Sequence, residues 1–275
     1  MALMQVNFYA QTLGLCTQVN VILPQQTHGI GVEGSQIKKD KYPVLYLLHG
    51  ASDDHTIWLR RTNIERYVAN MGIAVVMPAV HLSRYENMVH GPNYYDYITK
   101  ELPQVMQSFF PISDKPEDQF IAGLSMGGMG SLKFGLTLPE QYAAVGIFSS
   151  GNLFYRKSIP TSQRPRPSGS VPLMEAIYGT SEPKDLQGTA WDPFVACEAA
   201  LKAGKKMPKF YHVCGTEDFL LDSSRITRDW FEKHPKIEYK YQEAPGAHTW
   251  EFWDTWVQDF LKWLPLEAEK AAAEP

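Results

Sequence analysis

The chain has 275 residues, 44% of them hydrophobic and 20% charged, with a formal net charge of −4. That balance suits one large domain over residues 1–275 with a well-buried core, and it argues against a nucleic-acid binder, which needs a basic face. No uncharged apolar run is long enough to span a bilayer. The stretch "MALMQVNFYAQTLG" lacks a basic segment followed by a long apolar one, so a cytoplasmic protein is expected. Cys16, Cys197 and Cys214 are odd in number and widely spaced, which fits reduced thiols better than a disulfide framework. Cys214, inside "FYHVCG", reads as a small buried hydrophobe.

Two stretches open the chain with alternating apolar and polar residues, "VNFYAQTLG" and "CTQVNVILP". They predict an antiparallel strand pair, as in a hairpin or at a sheet edge. A Gly- and Lys-rich loop, "HGIGVEGSQIKKDKYP", follows. The pattern then changes. "PVLYLLHG" is a continuous apolar run ending in a turn, as in a strand buried on both faces. An amphipathic segment over Ile57–Asn70 leads to a second buried strand, "IAVVMPAV". A helix over Tyr94–Phe109, the strand "QFIAGLS", a helix over Met126–Leu138 and the strand "AAVGIFSS" come next. Such alternation implies right-handed crossovers and a mostly parallel sheet with helices on both faces.

Residues 151–190 break the rhythm. "KSIPTSQRPRPSGSVP" has no period, and a long insertion of this kind reads as a lid or a mobile loop. Its arginines suit either an anionic leaving group or plain solvation, the latter being the commoner case. The βα pattern resumes with a helix after "WDP", the strand "KFYHVCG", a helix over Ser223–His234, the strand "IEYKYQEAP" and a closing helix from Trp250. The aromatic-rich "TWEFWDTWVQDFLKWL" offers apolar faces to the core or to a partner subunit, so a homo-oligomer stays open.

Chemistry concentrates at "GLSMGG". A serine hydroxyl is a poor nucleophile unless a base, a group orienting that base, and oxyanion donors surround it. Gly-x-Ser-x-Gly at a strand-to-helix turn supplies that setting: Gly123 and Gly127 let strand and helix approach, and Ser125 sits exposed on the bend. The pentapeptide alone is equally a turn; its position between a buried strand and a helix favours a nucleophile. The partners of such a serine follow it as Asp or Glu and then His. Asp218 lies just past the strand "KFYHVCG", where α/β sites gather, and His248 lies in "GAHTW" before the last helix. Asp222, one helical turn on, is the competing acid and more naturally a cap or surface charge. His28, His212 and His234 have structural or surface roles as their default. His81, His90, Asp53, Asp54 and His55 show no tight ligand spacing, so no metal site is expected. The oxyanion donors expected are the amides of Met126 and of Ala51, with Ser52 as a fallback. Ser52 and Asp53 are candidates for touching substrate.

In "YLLHGASDDHTIWLRRTNIERY", "YYDYITKELP", "FIAGLSMGGMGSLKFGL", "GTEDFLLDSS" and "GAHTWEFWD" the chain resembles the esterase D-like α/β-hydrolases. That family includes tributyrin-type acetylesterases, feruloyl and acetylxylan esterases and S-formylglutathione hydrolase. The resemblance implies an α/β-hydrolase fold, Ser125, Asp218 and His248 as triad, and Ala51 and Met126 as oxyanion donors. It implies an aromatic role near the oxyanion loop for Trp58, for which core packing is an equal account. It also implies hydrolysis of small-molecule esters without a cofactor. After the "HG" turn, "ASDDHTIW" is closer to the tributyrin-esterase branch than to S-formylglutathione hydrolases. Acyl transfer to an alcohol, S-formylglutathione-type thioester hydrolysis with the same triad, and a silent binding scaffold are the rival readings.

Overall fold

The computed structural model describes residues 1–33, 38–156 and 171–266. Its strands, in chain order, are β1 Ala2–Ala10, β2 Leu15–Leu23, the short β3 His28–Gly29 and β4 Val32–Glu33, β5 Val44–Leu48, β6 Ala74–Pro78, β7 Gln119–Leu124, β8 Ala144–Phe148, β9 Lys209–Gly215 and β10 Tyr239–Ala244. The helices are α1 Ile57–Arg61, α2 Ile64–Tyr67, α3 Tyr94–Asp96, α4 Leu102–Phe109, α5 Met126–Thr137, α6 Leu173–Tyr178, α7 Pro193–Lys202, α8 Leu221–Glu232 and α9 Trp250–Trp263. Eight strands form one sheet in the order β1-β2-β6-β5-β7-β8-β9-β10. β1 and β2 pair antiparallel and β2 joins β6 antiparallel; every later pairing is parallel. Among the described residues, no helix is long and apolar enough to cross a membrane.

Strands β5, β6, β7 and β8 are buried at every residue, as strands covered on both faces must be. Two hydrophobic clusters follow, one on each face. Val44, Tyr46, Ile121, Val145 and Phe134 belong to the first; Leu45, Leu47, Phe120, Phe148 and Phe260 to the second. The C-terminal helix belongs to the second. Phe252, Trp253, Val257, Phe260 and Leu261 of α9 are buried against the sheet, so the core takes that apolar face.

Of the two helical stretches in this part of the chain, the first is broken and the second runs from Tyr94 to Phe109 without a break but with one change of pitch, each for a local reason. In the Ile57–Asn70 stretch the Thr62 hydroxyl donates to Trp58 O (2.6 Å) and accepts from the Ile64 amide (3.1 Å). A side chain that satisfies both sides of a break lets the backbone leave the helix, and Thr62 is extended at φ −134°. In the Tyr94–Phe109 stretch, Pro103 cannot donate to the ladder and its ring crowds the preceding turn. A π-helical segment over Tyr97–Glu101 absorbs the mismatch before α4 begins.

Of the 151–190 stretch, residues 157–170, with Arg164 and Arg166, lie outside the described residues. Its two flanks are tied together. The buried Asp192 accepts from Asn152 Nδ2 (3.0 Å), Tyr155 OH (2.6 Å) and the amides of Gly188 and Phe194 (3.0 and 3.1 Å). Leu153 and Met174 pack with Met129 and Leu220, four and two residues beyond Ser125's and Asp218's own positions, so both flanks border the C-terminal ends of the strands.

Candidate active site

Ser125 follows β7 directly and precedes α5, at φ +53°, ψ −116°. A non-glycine residue there is strained, and the strain persists only because its surroundings hold it. Gly123 and Gly127 explain part of that hold. A Cβ on Gly123 would lie 2.5 Å from the Gly127 carbonyl carbon, and one on Gly127 would lie 2.6 Å from Leu48 O. Any side chain at either position would force strand β7, helix α5 and the end of β5 apart. The Ser125 amide donates to Phe148 O across the sheet (2.9 Å), and Ser125 O accepts from Met129 N (3.0 Å). The backbone is therefore pinned on both sides of the hydroxyl.

The loops after β9 and β10 carry Asp218 and His248, and backbone bonds zip these loops together. Thr216 N donates to Ala244 O (2.8 Å) and Glu217 N to Gly246 O (3.1 Å). His248 Nε2 lies 2.9 Å from Ser125 Oγ, and its Nδ1 lies 3.0 and 2.9 Å from the two Asp218 carboxylate oxygens. With Nδ1 donating to the carboxylate, Nε2 is left as acceptor for the serine proton. The sequence-predicted trio thus forms one hydrogen-bonded line. Asp222, the competing acid, is drawn elsewhere: Arg156 Nε donates to it at 3.0 Å and the Ser223 amide at 2.8 Å.

Burial alone would raise the Asp218 carboxyl pKa. The hydrogen bond and charge of His248, the Leu220 amide (2.8 Å) and the Ser149 hydroxyl outweigh it and hold the group below its ordinary value. Ser149 is a residue that short-range motifs do not reveal. It follows β8 at φ +51°, is fully buried, and accepts from Trp253 Nε1 at 2.9 Å. Strands β7 and β8 therefore end side by side in strained serines, one directed at the base and one at the acid. Trp253 also stands edge-on to the His248 ring, with centroids 4.9 Å apart, and Phe219 covers another side at 4.3 Å. The motif "HTWEFW" signals an aromatic cluster, but which tryptophan reaches the site depends on how α9 packs.

The turn after β5 carries His49, Gly50, Ala51, Ser52 and Asp53. A Cβ on Gly50 would sit 3.6 Å from Ser125 Cβ, which measures how closely the turn approaches the serine. His49 is buried, accepts from Val80 N at Nε2 (3.0 Å), and so donates from Nδ1 to Gly50 O (2.7 Å). Burial pushes its pKa down to about 4, which keeps the ring neutral and in that tautomer. Tyr85 OH donates to His49 O (2.8 Å). Tyr85 is itself held: its ring lies where a Cβ on Gly130 would fall, 2.8 Å from Cδ2, and its carbonyl accepts from the buried Lys133 Nζ (2.6 Å). Lys133 also pairs with Glu86 Oε2 at 2.8 Å. Helix α5 and the β5 turn are thereby locked to one tyrosine. As first residue of α5, Met126 has an amide with no intrahelical acceptor. Ala51 is exposed, and Ser52, at φ +70°, hydrogen-bonds Ala51 O.

Ala51, Ser52 and Asp53 line a cleft of about 440 Å³ together with Ser125 and His248; Arg61, Trp250 and Glu251 are also in its lining. Trp58 does not line it. Its ring is buried in the core, its Nε1 donates to Leu48 O (3.0 Å), and Phe148 and Trp250 pack edge-on to it. The aromatic signal at "HTIW" marks a core residue that braces β5 from behind. Among the described residues, no three His, Cys, Asp or Glu side chains converge as a metal site.

Comparison with known proteins fits this geometry. The "Putative esterase" family model, Esterase, matches residues 10–265. An acetyl esterase of Caldicellulosiruptor saccharolyticus is 30% identical over 96% of this chain and 98% of its own. The substrate-bound fluorophosphonate-binding serine hydrolase F of Staphylococcus aureus superposes with a TM-score of 0.79 at 33% identity, covering 96% of this chain and 98% of that one. The S-formylglutathione hydrolase FrmB of the same organism gives 0.77 at 32% identity over the same shares. A ferulic acid esterase shares the fold at 21% identity and a TM-score of 0.74. The chain belongs to the Esterase family and is a serine carboxylic ester hydrolase of the α/β-hydrolase fold.

Proposed function

We propose that the protein hydrolyses short-chain acyl esters through a covalent acyl-enzyme on Ser125. The observation that carries this is the unbroken line from Asp218 through His248 to the strained Ser125 hydroxyl, opening into a small cleft. Ser125 Oγ attacks the ester carbonyl while His248 Nε2 takes its proton. Asp218 fixes the imidazole tautomer and stabilises the imidazolium. The amides of Ala51 and Met126 face the developing oxyanion, each such donor being worth roughly 3 kcal/mol. His248 then protonates the departing alkoxide, and in the second half it deprotonates the water that releases the acid. No cofactor enters these steps.

Acetyl or similar acyl groups suit the cleft's size, and the similarity to the Caldicellulosiruptor acetyl esterase supports that substrate class. The polar side chains in the cleft lining, Ser52, Asp53, Arg61 and Glu251, suit a hydrophilic alcohol such as a sugar, with aryl esters as the alternative. The 151–190 segment, whose flanks pack beside the site, shapes the alcohol side in this reading. The S. aureus S-formylglutathione hydrolase is about as similar as the acetyl esterase, which favours a thioester as second reading. Three free cysteines, Cys16 exposed among them, suit a reducing compartment, and we place the protein in the cytoplasm.

A fluorophosphonate probe with peptide mapping tests the nucleophile: labelling is expected at Ser125, and labelling elsewhere, or full activity in Ser125→Ala, refutes it. A nitrophenyl-ester series of increasing acyl length, run beside acetylated xylan, feruloyl ester and S-formylglutathione, tests the substrate. Highest kcat/KM at acetyl is expected; a preference for the thioester selects the second reading.

A further inference from the structure

The two edges of the eight-stranded sheet differ in kind. β10, at one edge, carries Lys240 and Glu243. Arg225 grips Glu243 through Nε and Nη2 (2.8 and 2.6 Å), Arg228 Nη1 lies 3.6 Å from it, and Lys240 pairs with Asp259 at 3.3 Å. Charges along an edge are the usual device that stops it from pairing with another chain. β1, at the opposite edge, has none. No Asp, Glu, Lys or Arg occurs before Glu33, in a chain that is 20% charged. Nine consecutive residues, Ala2–Ala10, pair on one side with β2 in full register, with no proline or glycine among them. Among the described residues β1 has no other strand neighbour, and Leu3 and Tyr9 are 44% and 53% exposed.

We infer that β1 pairs antiparallel with β1 of a second copy of this chain, about a two-fold axis at Val6, joining two sheets into one. The strand is self-complementary in that register. Leu3 faces the partner's Tyr9, Met4 faces the partner's Phe8, and Gln5 faces the partner's Asn7, so apolar meets apolar and amide meets amide. Leu3 also lines a cleft of about 560 Å³ between β1 and helix α2, with Met1, Gly31, Leu59 and Arg66 on its walls. The partner's Tyr9 comes beside Leu3 at that cleft. A two-fold contact consumes both β1 edges at once and leaves only the charged β10 edges outside, so the assembly closes as a dimer instead of growing into a filament. Asp218 and His248 follow β9 and β10, at the other end of the strand order, so pairing leaves the cleft at Ser125 untouched.

Sedimentation velocity on the full chain at micromolar concentration tests this, with nitrophenyl acetate turnover and a thermal melt as checks on folding. The wild type is expected at twice the chain mass. Leu3→Lys/Tyr9→Lys puts like charges opposite each other twice across the axis, and the mass is expected to halve with turnover unchanged. Leu3→Lys/Tyr9→Glu, which sets opposite charges face to face in the same register, is expected to restore the larger mass. A monomeric wild type, or a mass unmoved by the double-lysine variant, overturns the proposal; a double Lys/Glu variant that stays monomeric overturns the Val6 register.

Discussion

The site has two arms, and they are held in opposite ways. In the proposed mechanism the acid–base arm, Asp218 and His248, acts through side chains that touch each other and the serine directly. In the same mechanism the oxyanion arm acts through backbone amides, and the side chains that hold its turn, His49 and Tyr85, stand behind it. A change in the first arm removes a reacting group. In the second, a change can only loosen the frame that aims an amide. The first arm should therefore show large losses from single substitutions, the second small ones that fall on kcat.

The largest test is Asp218→Asn, which keeps the shape and reverses the preferred imidazole tautomer. A loss of about 10⁴ in kcat is expected from the role of such an acid, read by steady-state kinetics; a loss under tenfold would move the acid to another residue. Tyr85→Phe keeps the ring against Gly130 and deletes only the bond to His49 O. One hydrogen bond at a buried carbonyl is worth about 1.4 kcal/mol, so about tenfold in kcat with KM nearly unchanged. A loss falling wholly on KM would mean that the turn is not the element Tyr85 positions. Ser149→Ala, which retains the +51° backbone strain and removes the hydroxyl from Asp218, sits between the arms in kind. A fall of about fivefold in kcat is expected, and an unchanged rate would show that His248 and the Leu220 amide suffice to orient the acid.

The smallest effect concerns stability, and both arms contribute. His49 and His212 are buried and neutral; burial pushes them down to about 4 and about 3. His212 lies between Tyr239 OH (2.7 Å) and Ser150 O (2.8 Å), beneath the acid–base arm. Below the ordinary histidine value of about 6.5 the unfolded chain takes up a proton that the folded chain refuses. Stability from these groups is thus present above that value and drains away as pH falls toward 4 and then 3. Moving from pH 7 to pH 6 costs about 0.7 kcal/mol per histidine. Chemical denaturation at the two pH values should show a His212→Gln variant losing that much less than the wild type.

Short-range patterns carried the three residues of the hydrogen-bonded line. Ser125 stands in a glycine frame at a strand-to-helix junction, and Asp218 and His248 sit just past the ends of two late strands. Fixed chain order and strand ends make such residues visible one segment at a time. The same cues were ambiguous for aromatics. Trp58 and the "TWEFWDTWVQDFLKWL" helix present the same apolar chemistry whether they meet a substrate, a partner or the core; the core took Trp58 and most of the helix's apolar face, while Trp250 and Trp253 also line the cleft. Ser149 and Tyr85 gave no motif at all, because each acts on a residue far away in sequence, Asp218 at 69 positions and His49 at 36; Trp253 lies in the aromatic cluster that "HTWEFW" signals, but its bond to Ser149 spans 104 positions.

By itself, then, the sequence determined the alternation of buried strands and helices, the bend at "GLSMGG" and the three residues, Ser125, Asp218 and His248, that meet there in one hydrogen-bonded line. These depend on local periodicity, on glycine where backbones must touch, and on which side chains can trade a proton. The tertiary structure alone decided which supports reach those groups, where Trp58 and α9 are buried, and that one edge strand of the sheet is charged while the other is uncharged. Those are outcomes of packing between segments far apart in the chain, and no local pattern encodes the distance that closes between them.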